Sequence, residues 1–305
     1  MNNVLEAALQ IKDKNIILNN KVREKLFKLR TSLFLSATYT HNPEFYDDLG
    51  IYFNAESPSR LEEILQHQQF TEADLIEASQ LQHALVSQHI GKYNVGEGTF
   101  SLPNTDKKKI LVVGQVEDDA SIRYGSPQIY RNLDLLRTVR ERNPDAYIIY
   151  KPHPDVVSGN RIGHISPEDT ARYADQTVEQ ADILTCLQYA DEIHTMTSLT
   201  GFESLLRGKK VSCYGLPFYA GWGLTQDLLP IPRRSRRLEL WQLIAGTLIH
   251  YPDYIHPETH QAINAETAAQ ILIRQKNMQK NNNGLHRGYF AKKLGKIKQL
   301  YRSFK

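Results

Sequence analysis

Between Lys109 and Tyr214, short and almost wholly apolar runs alternate with segments of helical periodicity, and few folds accommodate that order. Lys109–Gly114 reads KILVVG and Ala146–Tyr150 reads AYIIY. Runs this short, with no polar alternation, predict strands covered on both faces. Glu192–Thr195 and Lys210–Tyr214 predict two more. Ile129–Arg142 carries Leu133, Leu136 and Val139 at helical spacing, and Thr177–Tyr189 and Thr200–Arg207 also read as helix. Strand and helix joined by roughly 2–6-residue connections predict an α/β fold with a parallel, doubly wound sheet. Ligands of such sheets sit outside the carboxyl ends of the strands, so those ends hold the candidate chemistry.

Upstream, residues 1–35 place Val4, Leu5, Ala8, Leu9, Val22, Leu26 and Leu29 at helical intervals and predict one or two helices. Gly50–Phe53 is strand-like. Ser57-Pro58-Ser59 signals a helix entry, and helices are expected over Arg60–Leu65 and Thr71–His89, the second opened by Thr71 with Asp74 three residues on. The polar, turn-rich stretch 94–107 marks a boundary. The expected organisation is an N-terminal segment over 1–104, an α/β domain over 105–276 and a tail over 277–305.

Composition excludes several classes. The two cysteines among 305 residues, Cys186 and Cys213, cannot build a disulfide framework, and no Cys/His spacing resembles a zinc site. No apolar run approaches the ~18 residues of a membrane helix, and the N-terminus has no signal-peptide pattern. A cytoplasmic setting is expected. The lack of a G-x-G-x-x-G after the first strand argues against a nicotinamide-dependent oxidoreductase. The net charge of +3 is unevenly spread: His286–Lys305 holds seven Lys/Arg and no Asp/Glu. There Phe290, Leu294, Ile297, Tyr301 and Phe304 interleave with Lys292, Lys293, Lys296 and Lys298, a basic amphipathic pattern suited to an anionic membrane surface. A disordered tail fits the same residues equally well.

Four strand ends carry polar groups. The first reads Gly114-Gln115-Val116-Glu117-Asp118-Asp119. Adjacent carboxylates repel unless a cation, a hydrogen-bond donor or divergent orientation separates them. Either this is a solvated acidic loop, or one carboxylate faces the cleft as nucleophile or base, with the Gln115 amide positioning it. The second is Lys151-Pro152-His153-Pro154. Its prolines stiffen the backbone, and Lys151 and His153, two apart, would share a face that suits a phosphate or carboxylate; a rigid turn is the alternative. The third, Met196–Glu203, puts the hydroxyls of Thr197, Ser198 and Thr200 beside a helix N-terminus that favours an anion. Gly201 would admit a ligand closely. Glu203 would accept from a ribose hydroxyl, or close a capping box with Thr200. The fourth, Cys213–Thr225, holds glycines and aromatics that stack on a base or sugar, or pack the core.

Taken in order, QVEDDASIRYGS, KPHPD, HTMTSLTGFESLLRGKKV and YGLPFYAGWGLT resemble the capsule polysaccharide biosynthesis family of β-Kdo transferases, the KpsC/LipA type, with LIHYPDYIHPET fitting its closing segment. The resemblance spans about Asp48 to Lys276. It implies a GT-B-like glycosyltransferase, with a Rossmann-like donor domain for CMP-Kdo and a lipid-linked acceptor. It also implies retention of configuration through a covalent sugar–aspartate adduct, in capsular polysaccharide biosynthesis. The family's Gln-x-x-x-Asp element falls on Gln115 and Asp119. It makes Asp119 the nucleophile, with Glu117 and Asp118 supporting. The His-Pro element falls on His153 and Pro154. On this reading His153 and Lys151 face the CMP phosphate, Thr197, Ser198 and Thr200 hold phosphate or the Kdo carboxylate, and Glu203 reaches the ribose. No metal or cofactor is required, and no nucleic-acid partner is expected. The tail from Phe290 to Phe304 would touch the inner face of the cytoplasmic membrane, where capsule-assembly proteins are possible partners. The region ahead of the donor domain is shorter than the family's first domain. That favours the alternative, a catalytically silent capsule-assembly subunit that binds CMP-Kdo or a partner enzyme.

Overall fold

The structure is a computed structural model that describes residues 49–91, 100–256, 259 and 261–281. The helices expected over 1–35 and the amphipathic pattern of 290–304 lie outside the described residues.

The centre is a six-stranded, all-parallel sheet. Its strands are β1 (Lys109–Val113), β2 (Tyr147–Lys151), β3 (Gln176–Thr177), β4 (Glu192–Thr195), β5 (Lys210–Cys213) and β6 (Gln226–Asp227), in spatial order 3-2-1-4-5-6. The chain adds strands outward from β1 in one direction, then returns to β1's other side and builds outward again. The order therefore reverses between β1 and β4. That crevice is the topological switch point, where doubly wound sheets take their ligands.

The period of two along each strand sorts the core into two layers. Ile110 and Val112 pack with Ile122, Leu135, Leu136 and Val139; Leu111 and Val113 pack with Leu184, Leu187 and Phe202. Both layers are helical, which is why β1 and β2 carry no polar alternation. The first is roofed by α3 (Ala120–Gly125), α4 (Asn132–Arg142) and α6 (Pro167–Tyr173), with the single turn α5 (Pro154–Val157) following β2. The second holds α7 (Ile183–Tyr189) and α8 (Leu199–Leu206).

Two upstream helices join this second layer. The first, α1 (Arg60–His67), is capped by Ser59, and α2 (Glu72–Ser87) opens with the expected reciprocal Thr71–Asp74 capping box. Their Leu61, Leu65, Leu81 and Leu85 are buried in the same core as the sheet. They pack on α9 (Leu240–Ile244), which continues as a π-helical turn over Ala245–His250, and α2 also meets the long helix α10 (Ala265–Asn281). Gly246 makes the approach possible, since a Cβ there would stand 2.5 Å from a Leu65 methyl. An antiparallel pair, β7 (Tyr254–Ile255) and β8 (Ala262–Ile263), precedes α10. That helix runs past the boundary expected at residue 277.

Two local expectations fail, and one open alternative closes. Gly50–Phe53 is a turn rather than a strand: Tyr52 spends its apolar surface edge-on against Phe218 and Tyr251 instead of pairing in a sheet. Thr177–Tyr189 is not one helix but the short strand β3 followed by α7. Of the two readings of the aromatic loop after β5, core packing holds, because Phe218, Tyr219 and Trp222 are all buried. Arg234 locks that loop to α1. Its buried guanidinium donates to the carbonyls of Pro217 (2.6 Å) and Ala220 (2.8 Å) and to Glu62 (2.8 Å), and lies over the Trp222 ring.

Candidate active site

Gln115 leaves the end of β1 and is tied across the switch point to the end of β4. Its Oε1 accepts from the Thr197 backbone N–H (2.9 Å) and the Thr195 hydroxyl (3.2 Å), and its Nε2 donates to Thr197 Oγ1 (3.0 Å). Thr197 Oγ1 donates to Ser121 Oγ (3.3 Å), and Ser121 Oγ donates to Asp119 Oδ1 (2.9 Å). The Ser121 N–H reaches the same carboxylate oxygen at 2.9 Å, making Asp119 the N-cap of α3. Gln115, Thr197, Ser121 and Asp119 thus form one continuous hydrogen-bonded group in the crevice between the two halves of the sheet.

The three consecutive acids diverge. Glu117 Oε1 accepts from the Asn132 backbone N–H at 2.7 Å. Asp118 turns to solvent, paired with Arg161 at 2.8 Å. Asp119, half-buried, is the acid that joins the Gln115 group. Repulsion within the triplet is relieved by all three routes open to it: a donor, a cation and separate directions. The loop itself is gripped by Asn132, whose side chain accepts from the Gln115 N–H (2.8 Å) and donates to the Gln115 carbonyl (2.7 Å) and to the Gly163 carbonyl (2.9 Å). Gly163 has φ +134°, and a Cβ on it would stand 2.7 Å from the Asn132 amide. No sequence signal marks Asn132, because its partners are backbone groups.

The remaining candidates distribute unevenly. Ser198, not Thr200, caps α8: its hydroxyl accepts from the Thr200 N–H at 3.2 Å. Glu203 consequently sits too deep in the helix for a capping box. It is buried, with its Oε1 3.0 Å from where a Cβ on Gly91 would lie. The room beside Gly201 belongs to Tyr219 rather than to a ligand. A Cβ there would meet the Tyr219 hydroxyl at 2.2 Å, and that hydroxyl donates to the Ser198 carbonyl at 2.5 Å. Thr197's hydroxyl is committed to Gln115 and Ser121, and Thr200's accepts from Ser198 Oγ at 3.2 Å.

His153 caps the turn α5, its Nδ1 accepting from the Asp155 N–H at 3.1 Å, so the two flanking prolines and this bond fix the ring plane. Lys151 is buried, and its ammonium donates to the Glu179 carbonyl at 2.7 Å. Burial pulls its pKa below the usual lysine value, against the opposing pull of the nearby Asp182 and Glu179. It is thus held beneath the β2 end rather than presented at it. Among the described residues, no cluster of three or more His, Cys, Asp or Glu is arranged to hold a metal ion, and no helix is long and apolar enough to cross a membrane.

A parallel sheet of order 3-2-1-4-5-6, with a carboxylate, an amide and a capped helix N-terminus meeting at its switch point, defines a Rossmann-like α/β domain with a built crevice site. Residues 67–254 match the capsule polysaccharide biosynthesis protein family, and the chain belongs to it. It is 87% identical over 259 residues to the capsule polysaccharide modification protein LipA of Neisseria meningitidis serogroup B, which covers 85% of this chain and 37% of that protein. Similarity to the lipopolysaccharide-processing protein LpsZ of Rhizobium meliloti is 42% over 235 residues, 76% of this chain and 53% of LpsZ. The chain therefore spans little more than a third of the LipA sequence it matches. Among solved structures, it resembles a Thermosulfurimonas dismutans KpsC described as a beta Kdo 2,7 transferase (44% identity, TM-score 0.67, 75% of this chain and 72% of that one). It also resembles a KpsC from the same organism described as a beta Kdo 2,4 transferase (33%, TM-score 0.68, 74% and 71%).

Proposed function

We propose that this chain carries the donor-binding half of a retaining β-Kdo glycosyltransferase, of GT-B-like architecture, that takes Kdo from CMP-Kdo to a lipid-linked acceptor during capsule polysaccharide assembly. The observation that carries the reading is the convergence of Gln115 and Asp119 at the switch point. It occurs in a chain 44% identical to a protein described as a beta Kdo transferase.

In the first step, the Asp119 carboxylate forms a C–O bond to the anomeric carbon while the bond from that carbon to the phosphate oxygen breaks, and its electron pair leaves with CMP. In the second, the acceptor oxygen forms a bond to the anomeric carbon from the opposite side and passes its proton to solvent, while the bond to Asp119 breaks and the carboxylate is restored. Two inversions retain the configuration, as in retaining glycosidases. The developing phosphate charge is met by His153 and by the positive dipole end of α8, with Lys151 adding a positive field from beneath. This needs no metal or other cofactor. A peripheral position at a membrane bearing the acceptor belongs to the same reading.

The test is to mix the purified protein with CMP-Kdo and a glycolipid acceptor, follow CMP release, and look for a Kdo adduct by mass spectrometry. An adduct on the peptide holding Asp119, lost with CMP release in Asp119→Asn, is the expected result. CMP-Kdo binding without release assigns the chain a donor-binding role alone.

A further inference from the structure

The hydrogen-bond chain at the switch point has a fixed polarity, and that polarity ends on one carboxylate oxygen. A backbone N–H can only donate, so Thr197 N–H must point at an oxygen, and the Gln115 atom it meets at 2.9 Å is Oε1. The Thr195 hydroxyl donates to the same oxygen (3.2 Å), being itself filled by the Ser198 N–H (3.2 Å). The other end of the Gln115 amide is then the NH2 group, which makes Thr197 Oγ1 an acceptor at 3.0 Å. With that lone pair used, the Thr197 proton goes on to Ser121 Oγ, and the Ser121 proton goes on to Asp119 Oδ1. Every rotor is determined by two backbone N–H groups at the head of α8. Bonds polarised in one direction strengthen one another.

The consequence falls on Asp119. Both of its side-chain hydrogen bonds, from Ser121 N–H and Ser121 Oγ, end on Oδ1, and Oδ2 takes none from the described residues. We infer that Thr197 and Ser121 are positioning residues, a relay through which the head of α8 holds Asp119 by Oδ1 and leaves Oδ2 as the attacking atom. The same helix start lies beside the departing phosphate in the reading above, so donor binding at α8 and the aim of the nucleophile would be set by one structural element. This rests on that reading of Asp119 and adds the two residues that act through it. Thr197, expected as a ligand of the phosphate, becomes part of the machinery behind the nucleophile.

The test is single-turnover release of CMP from excess CMP-Kdo without acceptor, comparing wild type with Thr197→Val, Thr197→Ser, Ser121→Ala and the Thr197→Val/Ser121→Ala double variant. Val keeps the shape of Thr but cannot pass the proton on. Thr197→Val and Ser121→Ala are expected to slow release about 10- to 100-fold, the loss typical of a misplaced reacting group. The donor concentration for half-maximal rate should stay within about twofold, and Thr197→Ser should recover most of the rate. Because both variants cut one chain, the double variant should be no slower than the slower single one. Multiplying rate losses, or a loss confined to donor affinity, overturns the relay, as does wild-type release in Ser121→Ala, whose half-buried site keeps that variant informative if Thr197→Val fails to fold. Asp119→Asn separates the two levels. If it abolishes release while the relay variants do not slow it, only the relay falls; if it still releases CMP, the nucleophile assignment falls and takes the relay with it.

Discussion

Asn132 holds Gln115 by both of its backbone polar groups, accepting from its N–H at 2.8 Å and donating to its carbonyl at 2.7 Å. This bidentate grip, made from the first turn of α4, sets where the chain leaves β1 and hence where Gln115 and Asp119 come to lie. Asn132 is almost fully buried, so its amide cannot exchange these bonds for water. Asn132→Asp keeps the shape but faces the carbonyls of Gln115 and Gly163 with an acceptor in place of a donor. Two buried acceptors lose their partner beside a buried charge, and the expected cost is about 3 kcal/mol or more. Chemical denaturation of the variant measures it.

Asp118 and Asp119 are neighbours with different employment, and stability separates them before any assay of transfer. Asp118 is exposed and its pairing with Arg161 is a surface ion pair, so Asp118→Asn should change stability by no more than about 0.5 kcal/mol. Asp119 caps α3, and Asp119→Ala should cost about 1 kcal/mol. Asn caps as well as Asp. Asp119→Asn is therefore expected to melt close to wild type while losing the carboxylate, which makes it the cleaner variant for testing chemistry. Thermal melts of the three variants decide the ranking.

β1 and β2 were legible because both faces of the sheet are covered, which leaves the apolar runs KILVV and YIIY. The Thr71–Asp74 box was legible because cap and partner are local. The Thr200–Glu203 pair has the same spacing but is not a cap, since Ser198, two residues earlier, takes the position. Spacing alone cannot choose between hydroxyls in Thr197-Ser198-Leu199-Thr200. The strand end carrying Gln115 and the three acids was visible, and only the family resemblance chose Asp119 among them, whereas Ser121 and Asn132 gave no signal, because their roles depend on atoms that converge only in the fold. The same holds for Arg233, Arg234 and Arg236. Nothing local marks this basic run: Arg234 is buried, Arg236 donates to the Gln68 carbonyl past the end of α1, and Arg233 and Arg234 close on Glu62, far earlier in the chain.

Gly201 tests how tightly α8 is packed against the loop after β5. Gly201→Ala would put a methyl 2.2 Å from the Tyr219 hydroxyl and 2.6 Å from its ring carbon, in a buried site where the ring cannot swing out. Overpacking of this kind costs about 1–3 kcal/mol. It also threatens the bond from Tyr219 to the Ser198 carbonyl at the head of α8. The expected outcome is a lower melting temperature, partly restored in a Tyr219→Phe background, where the closest contact is removed but the ring remains. A Gly201→Ala protein as stable as wild type would show that the helix and loop can separate.

On the far side of the sheet from α8, Glu192 anchors a buried polar chain. Its carboxylate accepts from Ser212 Oγ (2.8 Å) and meets His194 Nε2 (2.9 Å) and Lys108, while His194 Nδ1 meets the Tyr214 hydroxyl at 3.0 Å. The hydrogen bond from His194 acts most strongly, and with Lys108 and Ser212 it outweighs the cost of burial, holding the Glu192 carboxyl well below its ordinary 4.5. Burial, meanwhile, pushes the Tyr214 hydroxyl up to about 12, so it stays protonated as a partner for His194. A carboxylate with a depressed folded pKa favours the folded state in full above its unfolded pKa, and that contribution fades as pH falls below it toward the folded value. Glu192→Gln removes the ionised partner and leaves Lys108 and His194 facing a neutral amide. The variant should be less stable than wild type by about 2 kcal/mol near pH 7, the scale of hydrogen bonds to a charged group. The gap should hold down to about pH 5 and narrow below about pH 4.5, where the unfolded wild-type chain begins to take up a proton at this position that the folded one does not. Denaturant titrations of both proteins at pH 7, 5 and 3.5 would reveal it; a gap that is constant or widens on acidification would mean that Glu192 is not ionised in the fold.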